Sequence, residues 1–259
     1  MLPMPSEQDI LVGTLVFLRI SLLVMLLPVL GHKLVPAPAK AGFVGLLTLL
    51  LFPVVSAHVP VIEPDPVFYA LFAIQEMLLA AALALLAQLM FTAVQFAGQM
   101  ISMQMGMAMA NIFDPATSSQ SAIIAQFAGI LAILMWLASG AHHMFLLTLI
   151  ESFSILPPGS PWSFQGWIVI NDAAAAMFIL AFRLMAPVLL LLFFMYIALG
   201  LIARAVPQVQ VFFVSFPLSV GLGLLILSLS LPAFMSLVYD AFVSLGQDLP
   251  MFLRKLSGA

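Results

Sequence analysis

Val67–Gln99 reads VFYALFAIQEMLLAAALALLAQLMFTAVQFAGQ, and how this run is housed decides the fold. A membrane-spanning helix needs about 20 mostly apolar residues. The run is too long for one simple crossing, so it tilts, breaks or continues as helix into the polar side. Segments of the same kind flank it. Upstream lie Ile10–Leu30, interrupted by Arg19 and carrying Pro28 near its end, and Ala41–Val61, with Pro53 in its later half. Downstream lie Ala122–Ile150, Ala173–Ala203 with Arg183 and Pro187 inside it, and Val211–Tyr239. The connections GHKLVPAPAK (Gly31–Lys40), VIEPDP, LPPGSPWSFQG (Leu156–Gly166) and RAVPQVQ (Arg204–Gln210) hold the helix breakers. The pattern predicts an all-α membrane protein of about six long hydrophobic helical segments, with no separable soluble domain and no visible repeat.

Composition points the same way. Of 259 residues 64% are apolar and 7% charged, against about 25% charged in an ordinary soluble domain, and mean hydropathy is +1.25. A water-soluble fold has too little polar surface to cover such a chain. The start, MLPMPSEQDI, carries Glu7 and Asp9 but no basic residue, so Ile10–Leu30 reads as a retained helix rather than a cleaved signal. The absence of cysteine excludes disulfides and thiolate metal sites. No basic run is present, which argues against nucleic acid. With six crossings both termini share a side. Lys33, Lys40 and Arg204 fall on the opposite side from Arg254 and Lys255 and most of the acids. The lean is towards termini outside and the 203–210 turn in the cytoplasm.

Charges inside apolar segments are costly, about 2.5–3.5 kcal/mol each on insertion scales. Arg19, Glu76 and Arg183 are the three. They read either as a polar lumen or substrate path, or as structural pairing of Glu76 with one arginine. Gln88, Gln95 and Gln99, spaced seven and four, fall on one helical face suited to hydrogen bonding against a neighbour or a wet lumen. Gly221 and Gly223 offer a smooth face for close helix packing. His142 and His143 are adjacent, about 100° apart on a helix, and so cannot chelate one ion together. No metal-ligand cluster, nucleophile elbow or phosphate-binding glycine loop is present, and no enzyme is legible.

Between the third and fourth segments lies GMAMANIFDPATSSQS (Gly106–Ser121). Met100, Met103 and Met107 share a helical face, with Met105 and Met109 on a neighbouring one. These flexible, polarizable side chains serve either as core filler or as a compliant seal. Phe113-Asp114-Pro115 ends any helix there. Irregular backbone at membrane depth is tolerated only when buried in protein or lining a cavity. The segment is therefore a gate if it lies at that depth, and a turn if it lies at the surface.

GMAMANIFDPATSSQS with the following SGAHHMFLLTLIESFSILPPG, the stretch RAVPQVQVFFVSFPLSVGLGLLIL (Arg204–Leu227), and RISLLVMLLPVLGHKLVPAPAK near the start together resemble the FliR family of the flagellar type III export gate. The resemblance covers essentially the whole chain in order. It implies a single membrane domain over residues 1–259. About residues 1–170 resemble FliP helices plus a plug loop, and about 171–259 resemble a FliQ hairpin. Broken hairpins would wind into a helical hetero-oligomeric gate with FliP, FliQ and FlhB, in the bacterial inner membrane at the flagellar basal body. Unfolded flagellar proteins would be its transient substrates, lipid its surroundings, and no cofactor is implied. The implied plug is Met105, Gly106, Met107, Met109, Asn111, Phe113, Asp114 and Pro115, and the implied cytoplasmic turn holds Arg204, Pro207 and Gln208. A virulence type III secretion relative is an alternative. A small-molecule secondary transporter using Arg19, Glu76 and Arg183 is another, and an ungated scaffold a third.

Overall fold

A computed structural model of the chain describes residues 6–31, 35–56, 59, 65–107, 123–163, 165–206 and 211–258. Seven helices and no strands occur among these residues: α1 Glu7–Leu26, α2 Ala37–Ser56, α3 Pro66–Gln104, α4 Ile123–Ala138, α5 Ala141–Ile155, α6 Gly166–Ala205 and α7 Val211–Ser257. Five are long and apolar enough to cross a membrane, and α4 with α5, a bent pair, is a sixth where the pair is counted as one span. The architecture is the all-α membrane fold expected from the sequence.

Local chemistry explains the boundaries. Ser6 and Asp9 close a reciprocal box at the start of α1: the Ser6 hydroxyl accepts from the Asp9 amide at 3.2 Å, and the Asp9 carboxylate accepts from the Ser6 amide at 2.9 Å. Two of the orphan donors of that helix end are satisfied this way. α1 stops at Leu26 rather than running to Leu30, because Pro28 forces its predecessor out of the helical region. Leu27 accordingly takes φ −63°, ψ 129°. α2 begins at Ala37, four residues before the expected Ala41, since Pro38 falls in the first turn, where a missing amide proton removes no intrahelical bond. Asp65 Oδ1 accepts from the Val67 amide at 2.8 Å and caps α3, whose first residue is also a proline.

The Val67–Gln99 run resolves into one unbroken helix of 39 residues. Its contour is about 58 Å at 1.5 Å per residue, roughly twice the hydrocarbon thickness of a bilayer. α6 has 40 residues and α7 has 47. To keep a contour of about 70 Å within about 30 Å of hydrocarbon would take a tilt near 65°, well past the observed limit of about 40°. A straight α7 is therefore too long to lie wholly within such a layer.

Three expectations are corrected. Ala122–Ile150 is not one segment: α4 and α5 are bent by 65° at the Ser139–Gly140 break, where Gly140 takes φ +69°. A left-handed residue halts a right-handed helix, and only glycine adopts it at little cost. α6 begins at Gly166 instead of 173, absorbing the end of the proline-rich connection. α7 continues past Tyr239 to Ser257, because Leu245, Leu249, Phe252, Leu253 and Leu256 keep a buried stripe at helical spacing after overall hydropathy has fallen.

The chain divides into two compact units, one of residues 1–89, 140–174 and 243–259, the other of 90–139 and 175–242. In the first, Leu15, Val16, Ile20 and Leu23 of α1 and Leu79, Leu83 and Leu86 of α3 are fully or almost fully buried. α2 instead leaves Leu46, Leu49, Leu50 and Val54 exposed. The second unit centres on Phe91, Trp136 and Phe242, with ring centroids 5.0–5.5 Å apart, the tilted and edge-on arrangements that ring quadrupoles favour. At Gly98 the backbones of α3 and α4 touch, since a Cβ there would stand 2.8 Å from Ala125 Cα. Such small-residue crossings are how helices approach without a water-driven hydrophobic effect.

Candidate functional site

Two polar constructions stand out, one in each unit. In the first, Arg19 (1% exposed) and Glu76 (2% exposed) form a bidentate ion pair between α1 and α3. Arg19 Nη1 also donates to Ser152 Oγ at 3.0 Å and Nη2 to the Leu156 carbonyl at 2.8 Å. The Phe153 ring lies 4.2 Å from the guanidinium carbon. Leu156 follows the end of α5, where carbonyls lack helical partners. One planar fork thus ties α1, α3 and the end of α5, using four of its five N–H groups. Arg183 lies outside this pair, exposed on α6 in the second unit.

The glutamines divide by use rather than sharing one role. Gln88 Nε2 donates to the Leu26 carbonyl at 2.7 Å, closing the end of α1, and Gln75 Nε2 donates to the Ser160 carbonyl. Gln95 and Gln99 are exposed. The His142 and His143 rings stack with centroids 4.0 Å apart, and among the described residues no His, Asp and Glu cluster is arranged to hold a metal ion.

The second construction is the end of α3. Met105 is fully buried, its amide donating to the Ile101 carbonyl at 3.0 Å. Gly106 follows at φ +78° and donates to the Met103 carbonyl at 3.0 Å, a tight turn that only glycine enters freely. The carbonyls left over are claimed by side chains of two other helices. Tyr196 of α6 donates its hydroxyl to the Gln104 carbonyl at 2.8 Å. Ser219 Oγ of α7 stands 3.0 Å from the Met105 carbonyl and 2.9 Å from that of Phe216, its one proton serving either. Gly223 provides the space for the Met105 side chain: a Cβ at 223 would lie 2.7 Å from Met105 Cγ and 2.9 Å from both Sδ and Cε.

Of the plug residues named from the sequence, Met105, Gly106 and Met107 belong to this turn, while Met109, Asn111, Phe113, Asp114 and Pro115 lie outside the described residues. The neighbouring methionines are not a common buried face, since Met103 is 54% exposed. Arg204 is exposed in the last turn of α6, where a cation suits the helix dipole, and Pro207 and Gln208 lie outside the described residues. Sequence reading did not find Tyr196 or Ser219. Ser219 and Gly223 do have i, i+4 spacing, which sets them on one face of α7.

Long apolar helices with one ion pair and one polar turn buried among them define an integral membrane protein. The chain belongs to a family of transport proteins: the model described as "Bacterial export proteins, family 1" matches residues 10–245. It is 37% identical over 232 residues to the flagellar biosynthetic protein FliR of Bacillus subtilis (strain 168), covering 88% of this chain and 89% of that protein. With FliR of Escherichia coli (strain K12) the identity is 32% over 238 residues, 90% of each chain. The Yop proteins translocation protein T of Yersinia pestis is 28% identical over 225 residues, 85% of this chain and 86% of that one.

Proposed function

We infer that this chain is a subunit of the flagellar type III export gate, a non-enzymatic part of the membrane channel through which unfolded flagellar proteins leave the cell. The observation that carries the reading is end-to-end similarity: the family spans residues 10–245, and FliR proteins align over about nine-tenths of both chains. Helices whose contour exceeds the bilayer fit a subunit held by protein partners as well as by lipid. FliP, FliQ and FlhB are the partners, and the inner membrane at the flagellar basal body is the location. Residues to about 170 take the place of FliP-like helices and the remainder that of a FliQ-like hairpin. The segment from Met105 to Pro115 is the plug, sealing the lumen against ions at rest and yielding to an entering chain.

Two experiments test this. Expression in a motile bacterium lacking its own FliR restores swimming and secretion of flagellar subunits if the reading holds. Restoration of a virulence secretion system instead, with no motility, would favour the translocation-protein relative. Deletion of Met109–Pro115 in an otherwise assembled complex raises the resting ion leak across the membrane. An unchanged leak would remove the plug assignment while leaving the export role standing.

A further inference from the structure

We propose that Tyr196, Ser219 and Gly223 form a fixed seat for Met105, a positioning site that sets where the chain leaves α3 and stays closed while protein passes. The proposal rests on the export-gate reading and adds the residues that hold the start of the plug. Three observations carry it. Met105 is completely enclosed while Met103, two residues earlier, is 54% exposed, so the end of α3 turns Met105 inward and leaves Met103 outward. Gly223 is the matching hole. The three atoms nearest a Cβ there all belong to Met105, at 2.7–2.9 Å, whereas one at Gly221, two residues away, meets nothing within 4 Å. A mid-helix glycine is intrinsically unfavourable, and here its missing side chain has a specific occupant. Finally, the carbonyls of Gln104 and Met105 are each met by a hydroxyl from a different helix, Tyr196 on α6 and Ser219 on α7.

A methionine side chain is flexible by itself. What fixes it is the glycine hole below it and the two hydroxyls at its backbone. The next residue, Gly106, has the positive φ that turns the chain out of the helix. The seat ends there, at the last turn of α3.

The absence of cysteine makes the test clean. In the double variant Met105→Cys/Gly223→Cys the Cβ of residue 223 takes a place 2.7 Å from the former Met105 Cγ, one bond from the Cβ of residue 105. Disulfides hold Cβ atoms about 3.8 Å apart, so the pair is within reach. In membranes carrying the whole complex, oxidation is expected to cross-link most of the chain and to leave export and resting leak within about twofold of the reduced sample. Cross-linking that stops export would show that the seat must open, and failure to cross-link in an assembled complex would show that Met105 does not occupy it. Gly223→Leu displaces Met105 and is expected to raise the leak about tenfold at unchanged complex abundance, with Met105→Ala in the same chain restoring the seal. A leak insensitive to Gly223→Leu, in a complex where deletion of Met109–Pro115 does raise it, overturns the seat and spares the plug. If neither change moves the leak, the plug reading fails, and the cross-link result alone decides the seat.

Discussion

Replacing Arg19 by methionine removes the fork that joins α1, α3 and the end of α5, and its cost follows from what is left behind. Glu76, 2% exposed, is left buried without its partner, and the Leu156 carbonyl loses its donor. Ser152 keeps its bond to the Leu149 carbonyl at 2.7 Å and is little affected. Breaking one side of a buried pair typically costs about 3–5 kcal/mol, so Arg19→Met and Glu76→Leu are each expected to destabilise by that amount. The double variant leaves no stranded charge. Its main deficit is one unsatisfied carbonyl, about 1–3 kcal/mol. The double loss should therefore fall at least about 3 kcal/mol short of the summed single losses. Arg19→Lys is not a conservative change, because a point charge on a flexible stem cannot reproduce the planar bidentate contact while also reaching Ser152 and Leu156. Denaturant unfolding of the purified chain in mixed micelles, followed by tryptophan fluorescence, measures all four variants. Additive single losses, or a negligible loss in Arg19→Met, would refute the clamp.

Other expectations follow from single contacts. Gly98→Leu forces α3 away from the Ala125 backbone, 2.8 Å from the added Cβ, and should cost about 1–3 kcal/mol and reduce recovery of the assembled complex. Gly140→Ala has open space around it but the wrong φ, so a loss of about 1 kcal/mol is expected, with Gly140→Asn closer to wild type. Trp136→Ala removes one of the three mutually contacting rings Phe91, Trp136 and Phe242 and should cost about 3–5 kcal/mol, read as a lower detergent melting temperature.

Much of the fold was legible because apolar length is a strong signal when few charges interrupt it. The 39-residue α3 shows where that signal stops: hydropathy found the run, and only the structure showed it unbroken. The α4–α5 break was missed because apolar residues lie on both sides and one left-handed glycine has no periodicity of its own. The end of α7 was missed for the opposite reason, since its buried stripe persists among polar residues that lower the mean. At the sites, Arg19 and Glu76 are legible as expensive charges, and one of the two readings given for them is a pair. The Ser152 and Leu156 contacts come from residues more than a hundred positions away and leave no local trace. Gly223 was visible as a small residue on a packing face, but nothing in the sequence named Met105 as its occupant.

The central claim, that this chain borders a protein-conducting path, is tested most directly by photo-cross-linking during export. A photoreactive residue at Met107, the last residue of the seated turn, is compared with one at Leu49 of α2, 75% exposed on the first unit, while a flagellar substrate is stalled in transit. The prediction is capture of the stalled substrate from position 107 and not from position 49. An assembled, export-competent complex that captures no substrate from position 107 would contradict it.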